Sequence, residues 1–173
     1  MVLKNYYKYL AGIADNGLSN IGTGNQMSPT AIVDTSGTPR DFVLNSQYPT
    51  LNSDILSNLD IRRNLKLVFG SGSTEETADD YALASKINTF AAYNTETQAS
   101  FDSAFKTVFI ATTINNSGSS ITVSEVGLEK TLYTNPGDKD ESHSFLMTRM
   151  VLAEPVTIPS GSSYTFSFIW SEN

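Results

Sequence analysis

The alternation of apolar and polar side chains along the second half of the chain is the feature that most limits its fold. The stretch NLKLVF at 64–69 places two leucines and a phenylalanine on one face of an extended chain. A period of two indicates a β-strand, because successive side chains of a strand point to opposite faces. Later segments rich in β-branched and aromatic residues also predict strands, at 105–114, 121–128, 145–152 and 164–170.

The stretch ITVSEVGL contains a shift in this alternation. Val123 lies on one face of a regular strand, whereas the next apolar residues, Val126 and Leu128, would lie on the other. An extra residue near Ser124 or Glu125 would return all three to the same face. The sequence therefore predicts a β-bulge at this point.

Short turn-forming sequences separate the strands, and no long helix is predicted between them. They are NNSG at 115–118, NPGD at 135–138 and PSGS at 159–162. Strand, turn and strand at this spacing favour antiparallel pairing over a doubly wound parallel sheet. We expect an all-β fold, an antiparallel β-sandwich of jelly-roll type, over residues 61–173.

The first 60 residues have a different pattern. Apolar residues recur at helical spacing over 6–15, and an Asn-Gly pair follows, so a short helix is expected there. Gly, Asn, Ser and Pro interrupt residues 17–60, which predicts long loops with a strand at 41–44 and a helical turn at 54–59. Long irregular segments of compact domains usually bind something, so we interpret residues 1–60 as an anchoring segment that lies on a neighbouring molecule.

Composition argues against several classes of function. The 173 residues suit one domain, and 11 basic against 18 acidic residues give a formal charge of −7. No basic cluster is available to neutralise phosphates, so DNA and RNA are poor partners. Without cysteine there is no disulfide, thiolate nucleophile or cysteine zinc site, and the single histidine, His143, argues against a multi-histidine metal site within one chain. The sequence contains no signal-peptide core or membrane-length apolar run, so we expect a protein made and used without secretion or membrane insertion.

An acidic group follows the predicted strand at 64–69. It consists of Glu75, Glu76, Asp79 and Asp80. Its oxygens could coordinate calcium or form a carboxylate pair for acid–base catalysis. The second use needs neighbouring apolar burial to raise a pKa, and the sequence does not indicate any. A solvated loop is the simpler interpretation.

Three short motifs are best interpreted as turns. Gly70-Ser71-Gly72 and Gly22-Thr23-Gly24 begin like phosphate-binding loops, but neither continues to a third glycine or to a Gly-Lys-Ser/Thr ending. Asn115-Asn116-Ser117 matches a glycosylation acceptor. Because nothing suggests secretion, we interpret it as turn chemistry.

The spacing of an EF-hand loop start occurs at Asp138, Asp140 and Ser142. The loop then fails, because His143 stands where it needs glycine and Arg149 where it needs glutamate. His143 could serve a serine nucleophile, but the chain contains no G-x-S-x-G elbow, so a histidine at a strand edge is the simpler interpretation.

The last predicted strand carries an aromatic stripe, Tyr164, Phe166, Phe168 and Trp170, opposed by Thr165 and Ser167. Aromatics alternating with small hydroxyl residues are typical of a strand with one buried face. A sugar-stacking platform or a subunit interface is the alternative. We assign no catalytic, cofactor-binding or metal-binding residue.

The segment VFGSGST at 68–74 ends a predicted strand, and TADDYAL follows at 77–83. This pattern resembles structural proteins encoded in tailed-bacteriophage genomes, in which a strand ends in a Gly-Thr or Gly-Ser turn and runs into an Asp-Asp-Tyr-x-Leu segment. Further similar segments are 5–11, 120–128, 145–151, 155–158 and 161–168. The likeness is one of pattern and carries no active-site residues.

This resemblance implies a non-enzymatic virion component, a β-sandwich subunit that decorates the head and binds the major capsid protein. A neck, collar, tail or fibre component, with or without glycan binding, is the alternative. A carbohydrate-active enzyme, which needs two carboxylates about 5–10 Å apart, is a more distant one.

The resemblance also implies a location and partners. The protein would be assembled into virions in the host cytoplasm, with the major capsid protein or neck and tail proteins as partners. A homo-oligomer is expected, a trimer by analogy with other sandwich assemblies. The anchoring segment would then lie on a neighbouring subunit or on the capsid surface.

Overall fold

The computed structural model describes residues 1–15, 26–28, 30–45, 65–88, 106–135 and 141–171. The elements within these residues are α1 (Lys4–Asp15), β1 (Gln26–Met27), β2 (Ile32–Val33), β3 (Pro39–Arg40), β4 (Val43–Asn45), β5 (Leu65–Gly70), β6 (Lys106–Ile114), β7 (Ile121–Tyr133), β8 (Ser142–Ile158) and β9 (Ser163–Ser171). All the strand pairs formed by these elements are antiparallel. The predicted all-β fold is therefore confirmed.

The strands form two main sheets and two small ones. The larger main sheet has the order β5-β7-β8, and the other pairs β6 with β9. In the larger sheet Gly127 of β7 lies between Val68 of β5 and Arg149 of β8. The small sheets pair β1 with β4 and β2 with β3.

Side chains of both main sheets share one hydrophobic core. The larger sheet contributes Leu67, Phe69, Val123, Val126, Leu128 and Ile158, and the β6–β9 sheet contributes Ala111 and Phe166. The ring centroids of Phe69 and Phe166 lie 4.6 Å apart. The alternation predicted for β5 is confirmed, since Leu67 and Phe69 face this core while Val68 packs in a second cluster with Leu3, Leu83 and Leu146. A sandwich is consistent with the shared core; that layering and the jelly-roll connectivity stay predictions.

The predicted irregularity in β7 is present, but the extra residues belong to its partner strand. Val123 pairs with Val156, and Glu125 pairs with Val151, so the register shifts between them. Ser124 of β7 thus lies opposite residues 152–155 of β8, which include Pro155. Proline has no N–H to donate to a ladder, which favours a break in pairing there. As expected, Val123, Val126 and Leu128 share one core.

Strands β7 and β8 are longer than the sequence predicted. The predicted ends at residues 128 and 152 fall short of Tyr133 and Ile158. Charged residues such as Glu129 and Lys130 interrupt the apolar pattern, yet both are buried inside the protein. Glu129 pairs with Lys86, and Lys130 Nζ lies 5.4 Å from the centre of the Tyr9 ring. Charged residues in this pattern therefore mark internal contacts and not the end of a strand.

The N-terminal segment packs on the chain's own larger sheet. Helix α1 begins two residues before the predicted start, and Leu3 and Tyr9 are fully buried. Val2 forms a β-bridge with Thr148, and the Leu3 N–H donates to the Met147 carbonyl. These contacts extend the sheet past β8.

The described part of the predicted loop contains four short strands. β4 begins two residues later than the predicted strand at 41–44, and β1, β2 and β3 were not predicted. Strands of two residues carry too little alternation to be recognised in a sequence. The predicted helical turn at 54–59 lies outside the described residues, and the division of the chain at residue 60 stays a prediction.

Replacing Phe166 with alanine should test the shared core. We expect Phe166→Ala to lower the free energy of unfolding by about 3–5 kcal/mol, because a buried ring is lost from between the sheets. Ser167→Ala, at the neighbouring exposed position, should change it by less than about 0.5 kcal/mol. Urea unfolding of both variants provides the comparison, and equal losses would contradict a core shared by the two sheets.

Candidate functional site

A buried arginine lies at the centre of the most extensive polar cluster in the described residues. Arg149 is only 2% exposed. Its Nε donates to Glu125 Oε2 at 2.8 Å, its Nη1 to Asp80 Oδ2 at 2.6 Å, and its Nη2 to the Thr74 carbonyl at 2.9 Å. One guanidinium thus joins β8, β7 and residues 71–86, which we call the strap.

The strap is a loop that leaves β5 and returns to it. At its base the Ser71 N–H donates to the Ser85 carbonyl, and the Ile87 N–H donates to the Phe69 carbonyl. Between these points Leu83 is its buried hydrophobic residue. With so little apolar burial, polar contacts to the sheet are what position the strap.

Glu125 provides the other half of that attachment. Its side chain is fully buried, and Oε1 accepts from the N–H groups of Gly72 at 3.2 Å and Ser85 at 2.8 Å. Oε2 accepts from the Ala84 N–H at 3.1 Å as well as from Arg149. Glu125 therefore replaces a neighbouring strand as the acceptor for three strap N–H groups.

Glycine allows this close approach. A Cβ at Gly72 would lie 2.6 Å from the Ala84 Cβ and 2.6 Å from Glu125 Oε1. A Cβ at Gly70 would also collide with the Glu125 side chain. The prediction of a turn at Gly70-Ser71-Gly72 is wrong: Gly70 is the last residue of β5, and the Ser71 N–H still pairs with the Ser85 carbonyl. The Gly72 N–H binds the chain's own Glu125 carboxylate.

Arg149 and each of its two carboxylate partners stabilise each other's ionised forms. Burial would raise the pKa of Glu125, but hydrogen bonds from the Ser85 N–H and Arg149 outweigh it and hold that pKa below its ordinary value. Burial would also raise the pKa of Asp80, and hydrogen bonds from Thr77 and Arg149 lower it. For Arg149, burial opposes the charge, whereas the two carboxylates raise its pKa.

These directions limit what the cluster can do chemically. A general acid at neutral pH needs a raised carboxyl pKa, and those of Glu125 and Asp80 are lowered. The geometry supports a structural role, which is to hold the strap on the sheet.

The sequence suggested that the acidic group of the strap is a solvated loop, but three of its four carboxylates have partners. Asp80 binds buried Arg149, and Asp79 binds Lys4 with an Oδ1–Nζ distance of 2.6 Å. The Glu76 carboxylate accepts from the Val151 N–H at 3.3 Å. Glu75 and Asp79 keep the predicted exposed positions. No local pattern indicated these partners, because Lys4 and Arg149 lie far from Asp79 and Asp80 along the chain.

A second buried carboxylate, that of Glu129, lies further along β7 on the same face as Glu125. Glu129 is fully buried, and Lys86 Nζ donates to both of its oxygens, at 2.6 and 2.8 Å. Lys66 Nζ lies 3.6 Å from Glu129 Oε2. Lys86 at the end of the strap therefore binds a buried carboxylate of β7, as Gly72 near its beginning does.

Sequence reasoning missed Arg149, Glu125 and Glu129 as a set. A signal was present, since Glu125 in one predicted strand and Arg149 in another interrupt otherwise apolar patterns. Glu129 lies one residue beyond the predicted end of its strand. Charges in buried strands imply buried partners.

The remaining predicted motifs have ordinary structural roles where they are described. The Asn115 side chain donates to the Ser119 and Ile158 carbonyls and accepts from Ser117, so the predicted turn chemistry is confirmed. His143 lies near the start of β8, with Nδ1 3.6 Å from Asp34 Oδ2. Gly22-Thr23-Gly24, Asp138 and Asp140 lie outside the described residues.

Asp34 is a buried carboxylate in the turn between β2 and β3. Its Oδ1 accepts from the N–H groups of Ser36 at 2.9 Å and Thr38 at 3.0 Å, and Oδ2 accepts from Arg40 Nε at 2.5 Å. Burial would raise the pKa of Asp34, but hydrogen bonds from Ser36, Arg40 and Thr38 lower it well below its ordinary value. This carboxylate shapes the turn.

The aromatic stripe of β9 is core in part. Phe166 is buried and Phe168 packs against the core, as predicted. Tyr164 is 41% exposed, so the prediction was wrong there, although its ring centroid lies 4.7 Å from that of Phe166. The Trp170 side chain lies outside the described part of the molecule.

Within the described residues, no group of three or more His, Asp or Glu side chains could hold a metal ion. No helix in that part of the chain is long and apolar enough to cross a membrane. No protein-family model, curated protein or solved structure matches the chain.

Removing the guanidinium should destabilise the protein strongly. We expect Arg149→Met to lower the free energy of unfolding by about 3–5 kcal/mol, because Glu125 is left buried without a counter-charge. Lys4→Met, which breaks the exposed pair with Asp79, should cost less than about 1 kcal/mol. Adding Glu125→Gln to Arg149→Met should recover part of the loss in urea unfolding. A loss for Arg149→Met no larger than for Lys4→Met would contradict the role of Arg149 in holding the strap on the sheet.

The carboxylate clusters should make stability depend on acid pH. Because the folded-state pKa values of Glu125, Asp80 and Asp34 are lowered, their contribution is complete above the unfolded-state values near pH 4 and is lost as the pH falls through the folded values. Unfolding midpoints measured between pH 2 and 7 should be level near neutrality and fall below about pH 4. Asp80→Asn should reduce the loss of stability below about pH 4. An unchanged pH dependence of the unfolding midpoint would show that Asp80 does not contribute to it.

Proposed function

We propose that this chain is a non-enzymatic structural component of a bacteriophage virion, a head decoration protein that binds the major capsid protein. The proposal starts from the likeness of segments 68–74 and 77–83 to phage structural proteins. These segments are the end of β5 and much of the strap. Other similar segments lie in β7, β8 and β9.

The contacts of the charged side chains in these segments support a structural role. Asp79 binds Lys4, and Asp80 binds Arg149, which also binds Glu125. The Asp-Asp-Tyr segment thus joins the strap both to the N-terminal segment and to the sheet. Its carboxylates build the subunit, as expected of an assembly module.

Purified particles provide the test of the virion assignment. The chain, carrying a peptide tag after Asn173, should co-purify with phage particles through a density gradient. Gold-labelled antibody against the tag should then mark the heads in negative-stain images. Absence from purified particles would refute the virion assignment, and label confined to the neck or tail would refute the head position.

A glycan hydrolysis assay tests the enzyme alternative. The purified chain should release no sugar from host surface polysaccharides. Asp79→Asn is the matched variant, because it removes one exposed carboxylate of the Asp-Asp pair and leaves Asp80 on Arg149. Turnover that is abolished by Asp79→Asn would overturn the non-enzymatic assignment.

A further inference from the structure

Carboxylates take part in most of the polar contacts that the structure describes between the strap and the larger sheet. Glu125 accepts from three strap N–H groups, and Asp80 accepts from the Arg149 guanidinium. Glu76 accepts from a β8 N–H group, and Glu129 accepts from the strap lysine. A carboxylate that binds a proton loses its charge and part of its capacity to accept hydrogen bonds. The ionisation of these groups therefore decides how firmly the strap is attached.

Arg149 makes the strap sensitive to the loss of these charges. Its guanidinium stays protonated in proteins at any ordinary pH, and its two Nη atoms donate to the strap, at Asp80 and at the Thr74 carbonyl. If Glu125 and Asp80 were neutralised, this cation would be buried without a counter-charge, which carries a large desolvation penalty. Opening the strap removes that penalty, because it exposes both Nη atoms to water.

The two main sheets do not depend on the strap for their shared core. That core contains no strap residue within the described part of the chain. Leu83 is the strap's buried hydrophobic residue, and it packs in the separate cluster of Leu3, Val68 and Leu146. Opening the strap therefore removes one leucine from its contacts, whereas opening the sheets breaks a core and a long strand ladder. Segments with so little apolar burial open at a lower free energy than the rest of a fold.

We propose that the strap is an acid-released cover: when Glu125 and Asp80 gain protons, residues 71–86 leave the larger sheet while both main sheets stay folded. The released state exposes Arg149 to water, together with the apolar side chains of Val68 and Leu146 that pack with Leu83 in the closed state. The strap returns when the pH is raised, because the ionised carboxylates and the guanidinium again bind each other.

The direction of the pKa shifts places the release in acid. Burial would raise the pKa values of Glu125 and Asp80, but hydrogen bonds from strap residues and from Arg149 outweigh it and lower both. In the released state the two carboxylates meet water and regain ordinary pKa values near about 4. Their attachment of the strap is therefore complete above about pH 4 and is lost as the pH falls through the closed-state values.

The other charged groups around the strap act in the same direction. In the described residues they include the α-amino group of Met1, Lys4, Lys66, Glu76, Asp79, Lys86 and Glu129. The cations keep their charge as the pH falls, whereas a carboxylate that gains a proton loses its ion pair with one of them. Asp79 would then lose Lys4, and Glu129 would lose Lys86. Within this set of groups, no contact to the strap becomes stronger in acid.

Hydrogen exchange of the full chain at decreasing pH tests the release. Each backbone N–H is followed by its protection, which is the intrinsic exchange rate at that pH divided by the measured rate. The N–H groups of Gly72, Ala84 and Ser85 should reach the rate of an unfolded chain at a pH where those of β7 and β9 still exchange about a hundredfold or more slowly. Return to neutral pH should restore the protection of the strap. Loss of protection in the strap and the sheets at the same pH would overturn the proposal.

Neutral variants identify the carboxylates responsible. Glu125→Gln should lower strap protection at neutral pH by about tenfold or more and remove most of its pH dependence, because the amide carries no charge for Arg149. Asp80→Asn should change the pH dependence in the same direction, and it provides the comparison from the strap side if Glu125→Gln does not fold. Glu75→Gln is the matched control, an exposed carboxylate of the same strap, and should keep the wild-type profile. An unchanged profile in Asp80→Asn, or an equal change in Glu75→Gln, would refute the acid-released cover.

Discussion

The buried ion pair between Arg149 and Glu125 is the interaction on which the arrangement of the larger sheet depends. Arg149 lies on β8 and Glu125 on β7, and both also bind the strap. A lone charge in that position would carry a large desolvation penalty, so each side chain requires the other. The strap, the edge of the sheet and the N-terminal segment consequently form one connected unit.

The same rule governs the other buried charges. Glu129 is bound by Lys86, and Asp34 by Arg40 and backbone N–H groups. Where short loops meet the sheets, these carboxylates accept hydrogen bonds that backbone carbonyls would otherwise accept, or they occupy positions that apolar side chains would otherwise fill. The protein thus uses part of its acidic content as internal structure.

Particular elements show how far sequence reasoning reaches. Strand β5 and its two faces followed from alternation, and so did the register change near Ser124, because a core position must be filled whatever the pairing. The extra residues on β8 did not follow, since a phase shift does not reveal which strand carries the insertion. The strap cluster was also missed, because Asp80 and Arg149 are 69 residues apart and their pairing requires the folded chain.

By itself, the sequence determined the all-β class, the antiparallel pairing and the turns at 115–118 and 159–162, because these depend on periodicity and on residues close together in the chain. The predicted turn at 135–138 extends outside the described residues. It also indicated which sides of β5 and β9 are apolar. Only the tertiary structure decided which carboxylates are buried, which cations neutralise them, and that Tyr164 is exposed while Phe166 is not. Burial and charge pairing are properties of segments brought together from distant parts of the chain, and no local pattern encodes which segments will meet.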